Sequence, residues 1–358
     1  MGNLQRRLEI KGTGSYLPEE IVGNEKFSLR PLFSYDSKGN VTDTRILTPN
    51  KIIASTGIVM RRKAGSSDTI ESMAYHAGAE AISYASIDKS SIEGIIVATL
   101  GSNEPNTPSY ASKVQNELGL CNAKIALDIN YACSGFPAAL WIANSLANAS
   151  TSEGNYLIIA SEILTRHLDY RDINSTLFGD GSGAALLCPA LGDTETPYNY
   201  VNFSGERLVC LTSHQKEKER VYKGILEAYF KSDPFDGREK YIFFDKNGKL
   251  RMPEGKKVFR EAVNGMLESV EYLRNTLGWG EDAIIIPHQA NGRIIDAISA
   301  KLDNEKVYKN MKYGNMSAAT CAVALDDARK GGIVKEGSRV ILTSFGAGLV
   351  NFAIAHQF

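Results

Sequence analysis

The sequence contains no Cys-x-x-Cys pair and no excess of charge of either sign. No apolar run approaches the ~20 residues that a membrane-spanning helix needs. The five cysteines, at positions 121, 133, 188, 210 and 321, are odd in number and scattered, which argues against both a disulfide framework and a zinc site. Lys and Arg total 40 against 41 Asp and Glu, and no long basic run exists, so nucleic acid is not the expected ligand. Arg6 and Arg7 have no apolar segment behind them, so no secretory signal is read. Gly12-Thr13-Gly14 follows a strand-like run, but the third glycine of a dinucleotide fingerprint is missing and Pro18 blocks an immediate helix. Gly179-Asp180-Gly181-Ser182-Gly183 leads into Ala184-Ala185 rather than Gly-Lys-Ser/Thr, which excludes a phosphate-binding P-loop. What remains is a reduced, cytoplasmic α/β protein without a metal site, a cofactor or a membrane segment. Its 358 residues suffice for two domains or one duplicated one.

The informative stretch is 125–147. Lys124 to Ile129 reads as a short buried strand, and from Ser134 onward Phe136, Leu140, Ile142, Ala143 and Leu146 recur at helical spacing. Cys133 sits between the two. Ser134 and Gly135 permit a tight turn, and Pro137 fits the first helical turn, where its missing N–H costs nothing. A thiol there faces the unpaired N–H groups of a helix N-terminus. That setting favours thiolate and predicts a pKa below the ordinary ~8.5. The bland reading of Cys133 is a packing thiol, and the other cysteines are read that way.

Further along, the pattern predicts helices over 69–86, 109–118, 258–277 and 318–330, and strands over 8–12, 92–100, 155–160, 283–287, 339–344 and 349–355. Residues 28–50 read as an inserted loop, and 190–255 as a polar, variable segment. The two halves echo each other. Each has a buried strand that ends in a reactive residue and leads into a helix, Ile129 toward Cys133 and Ile286 toward His288. Each closes on a glycine segment and an apolar strand, at Phe178-Gly179 and at Phe345-Gly346-Ala347-Gly348. A duplicated unit is implied, with halves 1–190 and 191–358 and the reactive residues meeting at the seam between them.

Taken together, Gly12 to Pro18, Ala132-Cys133-Ser134-Gly135-Phe136, Phe178 to Ala184, Pro287-His288-Gln289-Ala290-Asn291, Gly314-Asn315 with Ser317-Ala318-Ala319, and Phe345 to Gly348 resemble β-ketoacyl-acyl-carrier-protein synthase III, of the thiolase-like superfamily. The resemblance implies a duplicated, five-layered α-β-α-β-α fold and a homodimer. It implies a Cys-His-Asn site on Cys133, His288 and Asn315, with an oxyanion hole from the backbone N–H groups of Cys133 and Ala347. The implied substrates are an acyl thioester primer and a malonyl thioester carried by acyl carrier protein. They join by decarboxylative Claisen condensation through an acyl-Cys133 intermediate, in fatty acid or polyketide-like biosynthesis. Arg293, Arg260 and Lys257 fall where the family docks acidic carrier protein, and Thr107 falls at the gate of the acyl pocket.

Some positions depart from the family. Lys51 and Ser55 stand where it has a Trp and an Arg that clamp coenzyme A, and a second Arg is replaced near Ile173 or Asn174. Two other readings remain at this stage. One is an acyltransferase of the same superfamily that acts on an alcohol or amine. The other is a cysteine hydrolase, whose Cys…His…Asn order is the same.

Overall fold

A computed structural model describes residues 7–101, 106–149, 154–190, 200–201, 207–208, 223–303 and 306–358. Its frame is two sheets. The first contains β1 (Leu8–Tyr16), β2 (Ile92–Ala98), β3 (Ile125–Ile129), β4 (Asn155–Ile163) and β5 (Asp180–Pro189), in the order β1-β5-β4-β2-β3. The second contains β6 (Gly224–Ser232), β7 (Ile284–Pro287), β8 (Arg339–Gly346) and β9 (Val350–Gln357), in the order β6-β9-β8-β7. The senses of pairing correspond. β1/β5 and β5/β4 are antiparallel and β4/β2 parallel. Likewise β6/β9 and β9/β8 are antiparallel and β8/β7 parallel. Where the first sheet adds β3, the second has a single parallel bridge between Ile285 and Val307.

Seven α-helices are present among the described residues: α1 (Pro49–Thr56), α2 (Ile70–Ala85), α3 (Tyr110–Leu118), α4 (Gly135–Ala149), α5 (Gly255–Leu277), α6 (Gly292–Leu302) and α7 (Ala319–Lys330). The layers run α2 and α3, first sheet, α4 and α7, second sheet, α5 and α6. Both central helices bury mainly apolar residues against the sheets, one exception being Asp326 of α7, whose Oδ2 accepts from Ser15 Oγ of β1 at 2.6 Å. Phe136, Leu140 and Ala143 of α4 and Cys321, Ala322 and Leu325 of α7 are fully covered and join the two sheets into one core. Gly183 on β5 exists for this packing, since a Cβ there would lie 2.6 Å from Ala322 Cβ. His356 adds a polar tie: its Nε2 accepts the Ile10 N–H at 2.9 Å, joining β9 to β1.

Several sequence expectations need correction. Residues 28–50 are not a plain loop, because Pro31–Tyr35 and Val41–Ile46 pair as a hairpin and α1 begins at Pro49, capped by the Thr48 side chain. The polar segment 190–255 contains β6, whose Ile225 and Ala228 face the core. Gly181 and Gly183 lie within β5 and not in a turn before it, and Gly179 alone precedes the strand. Cys121 is exposed, while Cys188 and Cys321 are buried. Cys210, His214 and the charged run 216–220 lie outside the described residues. No described helix is long and apolar enough to cross a membrane. Among the described residues, no group of three or more His, Cys, Asp or Glu is placed to hold a metal ion.

Candidate active site

Cys133 sits in a single 3-10 turn, Ala132–Ser134, that passes directly into α4. The turn is sharp: Ala132 adopts φ +46°, a left-handed conformation unusual for a residue with a Cβ. Such strain persists only where surrounding contacts over-determine it. Here they come from β8. Ser344 Oγ donates to the Cys133 carbonyl at 2.7 Å and lies 3.1 Å from Ser134 Oγ. Gly346 lies flat against the turn, and a Cβ at that position would sit 2.8 Å from the Cys133 nitrogen. Any larger residue at 346 would displace the cysteine.

His288 follows the last residue of β7 and continues the parallel ladder, its N–H donating to the Thr343 carbonyl at 2.8 Å. Thr343 and Ser344 are consecutive on β8. One strand thus holds the backbone of both His288 and Cys133. The imidazole is 2% exposed, and neither ring nitrogen has a hydrogen-bond partner among the described residues. Burial pulls its pKa down to about 4, so the ring is neutral at physiological pH and carries one N–H and one lone pair.

Asn315 is fixed from both sides. Its N–H donates to the Leu177 carbonyl at 2.8 Å, and its carbonyl accepts from Gly179 N–H at 3.0 Å. Its side-chain Oδ1 accepts from the Ser317 N–H at 2.9 Å. That bond sets the amide orientation and leaves the NH₂ as the outward-facing group. Arg61 lies behind this loop, 1% exposed, donating to Asn24 Oδ1 and to the Thr176 carbonyl. Ser317 itself has φ +46°, a second strained residue in the same site. Its buried hydroxyl makes no hydrogen bond of ordinary geometry among the described residues, yet it lies close enough to Cys133 to favour the thiolate.

The helix N-terminus does not set the Cys133 pKa as the sequence suggested. Burial dominates and pushes the thiol up to about 12. Ser317 opposes this effect, and the nearby Glu162 carboxylate adds to it. The resting pair is therefore a thiol and a neutral imidazole. Cys321 lies near this centre as well, its Sγ 3.9 Å from the Thr343 carbonyl, and burial raises its pKa strongly.

The remaining predicted residues lie farther out. Ala347 is half-buried in the three-residue turn between β8 and β9, next to Gly346. Arg293, at the start of α6, is exposed, with its guanidinium 5.7 Å from the Phe259 ring centroid. Phe259 is on α5, the helix of exposed Lys256, Lys257 and Arg260. Lys257 pairs with Glu254 at 3.1 Å and Arg260 with Glu261 at 3.1 Å. Thr107 is exposed, and residues 102–105 of its loop lie outside the described residues. Lys51 and Ser55 are exposed on α1, and the Asn174 side chain donates to the Met252 carbonyl at 3.1 Å.

Sequence reading missed Glu162 and Ser344. Glu162 had a signal, a lone carboxylate inside the apolar strand Leu157-Ile158-Ile159-Ala160-Ser161-Glu162-Ile163. Ser344 had none, because its role depends on a partner 211 positions away.

A layered fold with duplicated sheets and a cysteine at the head of a buried central helix defines an acyltransferase of the thiolase-like class. Residues 127–201 match the family described as 3-oxoacyl-[acyl-carrier-protein (ACP)] synthase III, and residues 274–358 its C-terminal family. A β-ketoacyl-[acyl-carrier-protein] synthase III of Clostridium botulinum (strain Loch Maree / Type A3) is 37% identical over 350 residues, covering 96% of each chain. The crystal structure of 3-oxoacyl-[acyl-carrier-protein] synthase III from Aquifex aeolicus VF5 superposes with a TM-score of 0.79 at 31% identity, covering 98% of this chain and 100% of that one. The priming β-ketosynthase from the R1128 polyketide biosynthetic pathway superposes with a TM-score of 0.79 at 28% identity, covering 99% and 97%. The chain belongs to the 3-oxoacyl-[acyl-carrier-protein] synthase III family and is a condensing acyltransferase.

Proposed function

We propose that this enzyme extends an acyl thioester by decarboxylative condensation with malonyl-acyl carrier protein, with Cys133 holding the acyl group between the two half-reactions. The observation that carries this reading is the buried imidazole of His288, unpartnered at both nitrogens, in the same site as an Asn315 whose oxygen is tied back. A neutral ring serves both half-reactions. In the first, its lone pair accepts the Cys133 proton as sulfur attacks the thioester carbonyl carbon. The carbon–sulfur bond to the carrier then breaks, and the departing thiolate takes up the proton. The N–H groups of Cys133 and Ala347 are the proposed donors to the oxyanion.

In the second half-reaction the malonyl carbon–carbon bond breaks and CO₂ leaves. Its electron pair moves into the thioester carbonyl. The enolate oxygen receives hydrogen bonds from the His288 N–H and the Asn315 NH₂. The enolate carbon then attacks the acyl-Cys133 carbonyl, a new carbon–carbon bond forms, the carbon–sulfur bond breaks, and the Cys133 thiolate takes a proton from solvent. The product is a β-ketoacyl thioester. Replacing Asn315 by Ala should leave acylation of Cys133 intact but lower malonyl decarboxylation ~10²–10³-fold, whereas His288→Ala should slow both half-reactions, because the ring is the base in the first and a donor in the second. Unaltered decarboxylation in both variants would overturn these roles. A hydrolase would release the acyl group to water and would not decarboxylate malonyl thioester.

Arg293, Arg260 and Lys257 form the docking patch for the acidic carrier, supported by their exposure on neighbouring α5 and α6. The enzyme acts as a homodimer through β3, supported by that strand's position at the sheet edge and its half-buried apolar Ile125 and Ile129. Thr107 then gates the partner's acyl pocket, and its exposure on its own chain fits that role. Halves at 1–190 and 191–358 fit the corresponding strand orders of the two sheets. The four cysteines among the described residues are unpaired, which fits a reducing cytoplasm.

A further inference from the structure

Glu162, near the end of β4, is 1% exposed, and no part of the condensation scheme uses it. Its carboxyl is nonetheless bound from two directions. Oε2 accepts from the Leu100 N–H at 3.1 Å and from Thr99 Oγ1 at 3.3 Å. Thr99 Oγ1 in turn accepts from the Gly101 N–H at 3.0 Å, at the root of the loop that carries Thr107. On the other side, Oε1 accepts from the Ala318 N–H at 3.4 Å. Ala318 belongs to the turn whose Ser317 N–H holds Asn315 Oδ1. The Ser317 hydroxyl lies near both Cys133 and Glu162 and favours the charged form of each.

We propose that Glu162 is a positioning residue of the condensing site, tying the root of the Thr107 loop and the Asn315–Ala318 turn into one unit beside Cys133. The inference rests on the roles given above to Cys133 and Asn315. The principal groups acting on the carboxyl are Leu100, Ser317, Ala318 and Thr99, all neutral. Facing it across Ser317 is Cys133, whose thiolate its charge disfavours. Burial pushes Glu162 itself up to about 8, so its charge changes in the range where the enzyme is assayed.

Glu162→Gln keeps the volume but turns one accepting oxygen into an NH₂ that meets an N–H donor. Acylation of Cys133 should survive in this variant, while malonyl decarboxylation falls about tenfold or more because the Asn315 amide is no longer held. A structural defect alone does not move a second readout, the pH midpoint for alkylation of Cys133 by iodoacetamide. Loss of the nearby charge should lower that midpoint. Ser317→Ala should move it the opposite way, since the hydroxyl favours thiolate. Together, selective loss of decarboxylation and opposite midpoint shifts support the proposal. It is overturned if the Glu162→Gln midpoint matches wild type, if both half-reactions fall equally, or if decarboxylation stays intact. Should wild-type protein neither acylate Cys133 nor decarboxylate malonyl thioester, the condensation reading fails. Alkylation still decides whether Glu162 and Cys133 interact.

Discussion

The Ser344 hydroxyl donates to the carbonyl of Cys133 at 2.7 Å, so a strand of the second sheet holds the strained turn that carries Cys133. Ser344→Ala should leave that carbonyl without its donor and destabilise the fold by ~1–3 kcal/mol. It should also slow acylation of Cys133, because the turn is no longer fixed. Thermal unfolding and acyl-enzyme mass spectrometry read the two effects separately. A variant equal to wild type in both would show that the contact holds nothing.

A second prediction follows from the burial of His288, whose pKa falls to about 4 from an unfolded value near 6.5. The folded state refuses a proton that the unfolded chain accepts. The stability contributed by the neutral ring is therefore fully present above about pH 6.5 and is lost as pH falls toward about 4. Relative to wild type, His288→Gln should gain about 2 kcal/mol between pH 7 and pH 5. Denaturant unfolding at both pH values checks this. A wild-type-to-variant difference that does not change with pH would mean that the ring titrates normally.

Charge reversal at Arg293 should slow reaction with carrier-bound malonate, and the defect should shrink as salt rises. Arg293 is exposed and stacked on Phe259 beside the basic face of α5, so its effect belongs to encounter and not to the chemical step. An equal loss with a small soluble thioester at every salt concentration would contradict a docking role.

The resemblance places Thr107, a small residue, at the gate of the acyl pocket, so a medium or long acyl donor should load Cys133 faster than acetyl-CoA. The exposed Lys51 and Ser55, in place of a coenzyme A clamp, point the same way. Each additional buried methylene can contribute up to ~0.8 kcal/mol. Thr107→Phe should shift preference toward short chains. Fastest loading by acetyl-CoA, or an unchanged chain-length profile in the variant, would refute the gate.

Much of this site was legible in the sequence because its parts are local. Cys133 and His288 each follow a strand and precede a helix, and those boundaries follow from apolar periodicity and from turn residues such as Gly135, although the strand before Cys133 is half-buried at a sheet edge and not fully buried. The strand β6 was missed because Glu227 and Lys231 interrupt its apolar pattern within a polar segment. Gly181 and Gly183 read as a turn because glycine is depleted in strands. Their place in β5 depends on Met316 and α7, which come close only in three dimensions. The acidity of Cys133 was misjudged for the same reason. The helix terminus is a local feature, whereas burial sums over every neighbouring element. Glu162 was invisible as a hub because its partners lie 62, 63 and 156 positions away.

Whether Cys133 carries the acyl group is decided by intact-protein and peptide mass spectrometry after incubation with a panel of acyl-CoA and acyl-carrier-protein donors. The expected result is a stoichiometric acyl mass on the peptide containing Cys133, discharged by malonyl-acyl carrier protein and absent from Cys133→Ala. Acyl mass that persists in Cys133→Ala, or that maps to Cys321 or Cys188, would contradict it.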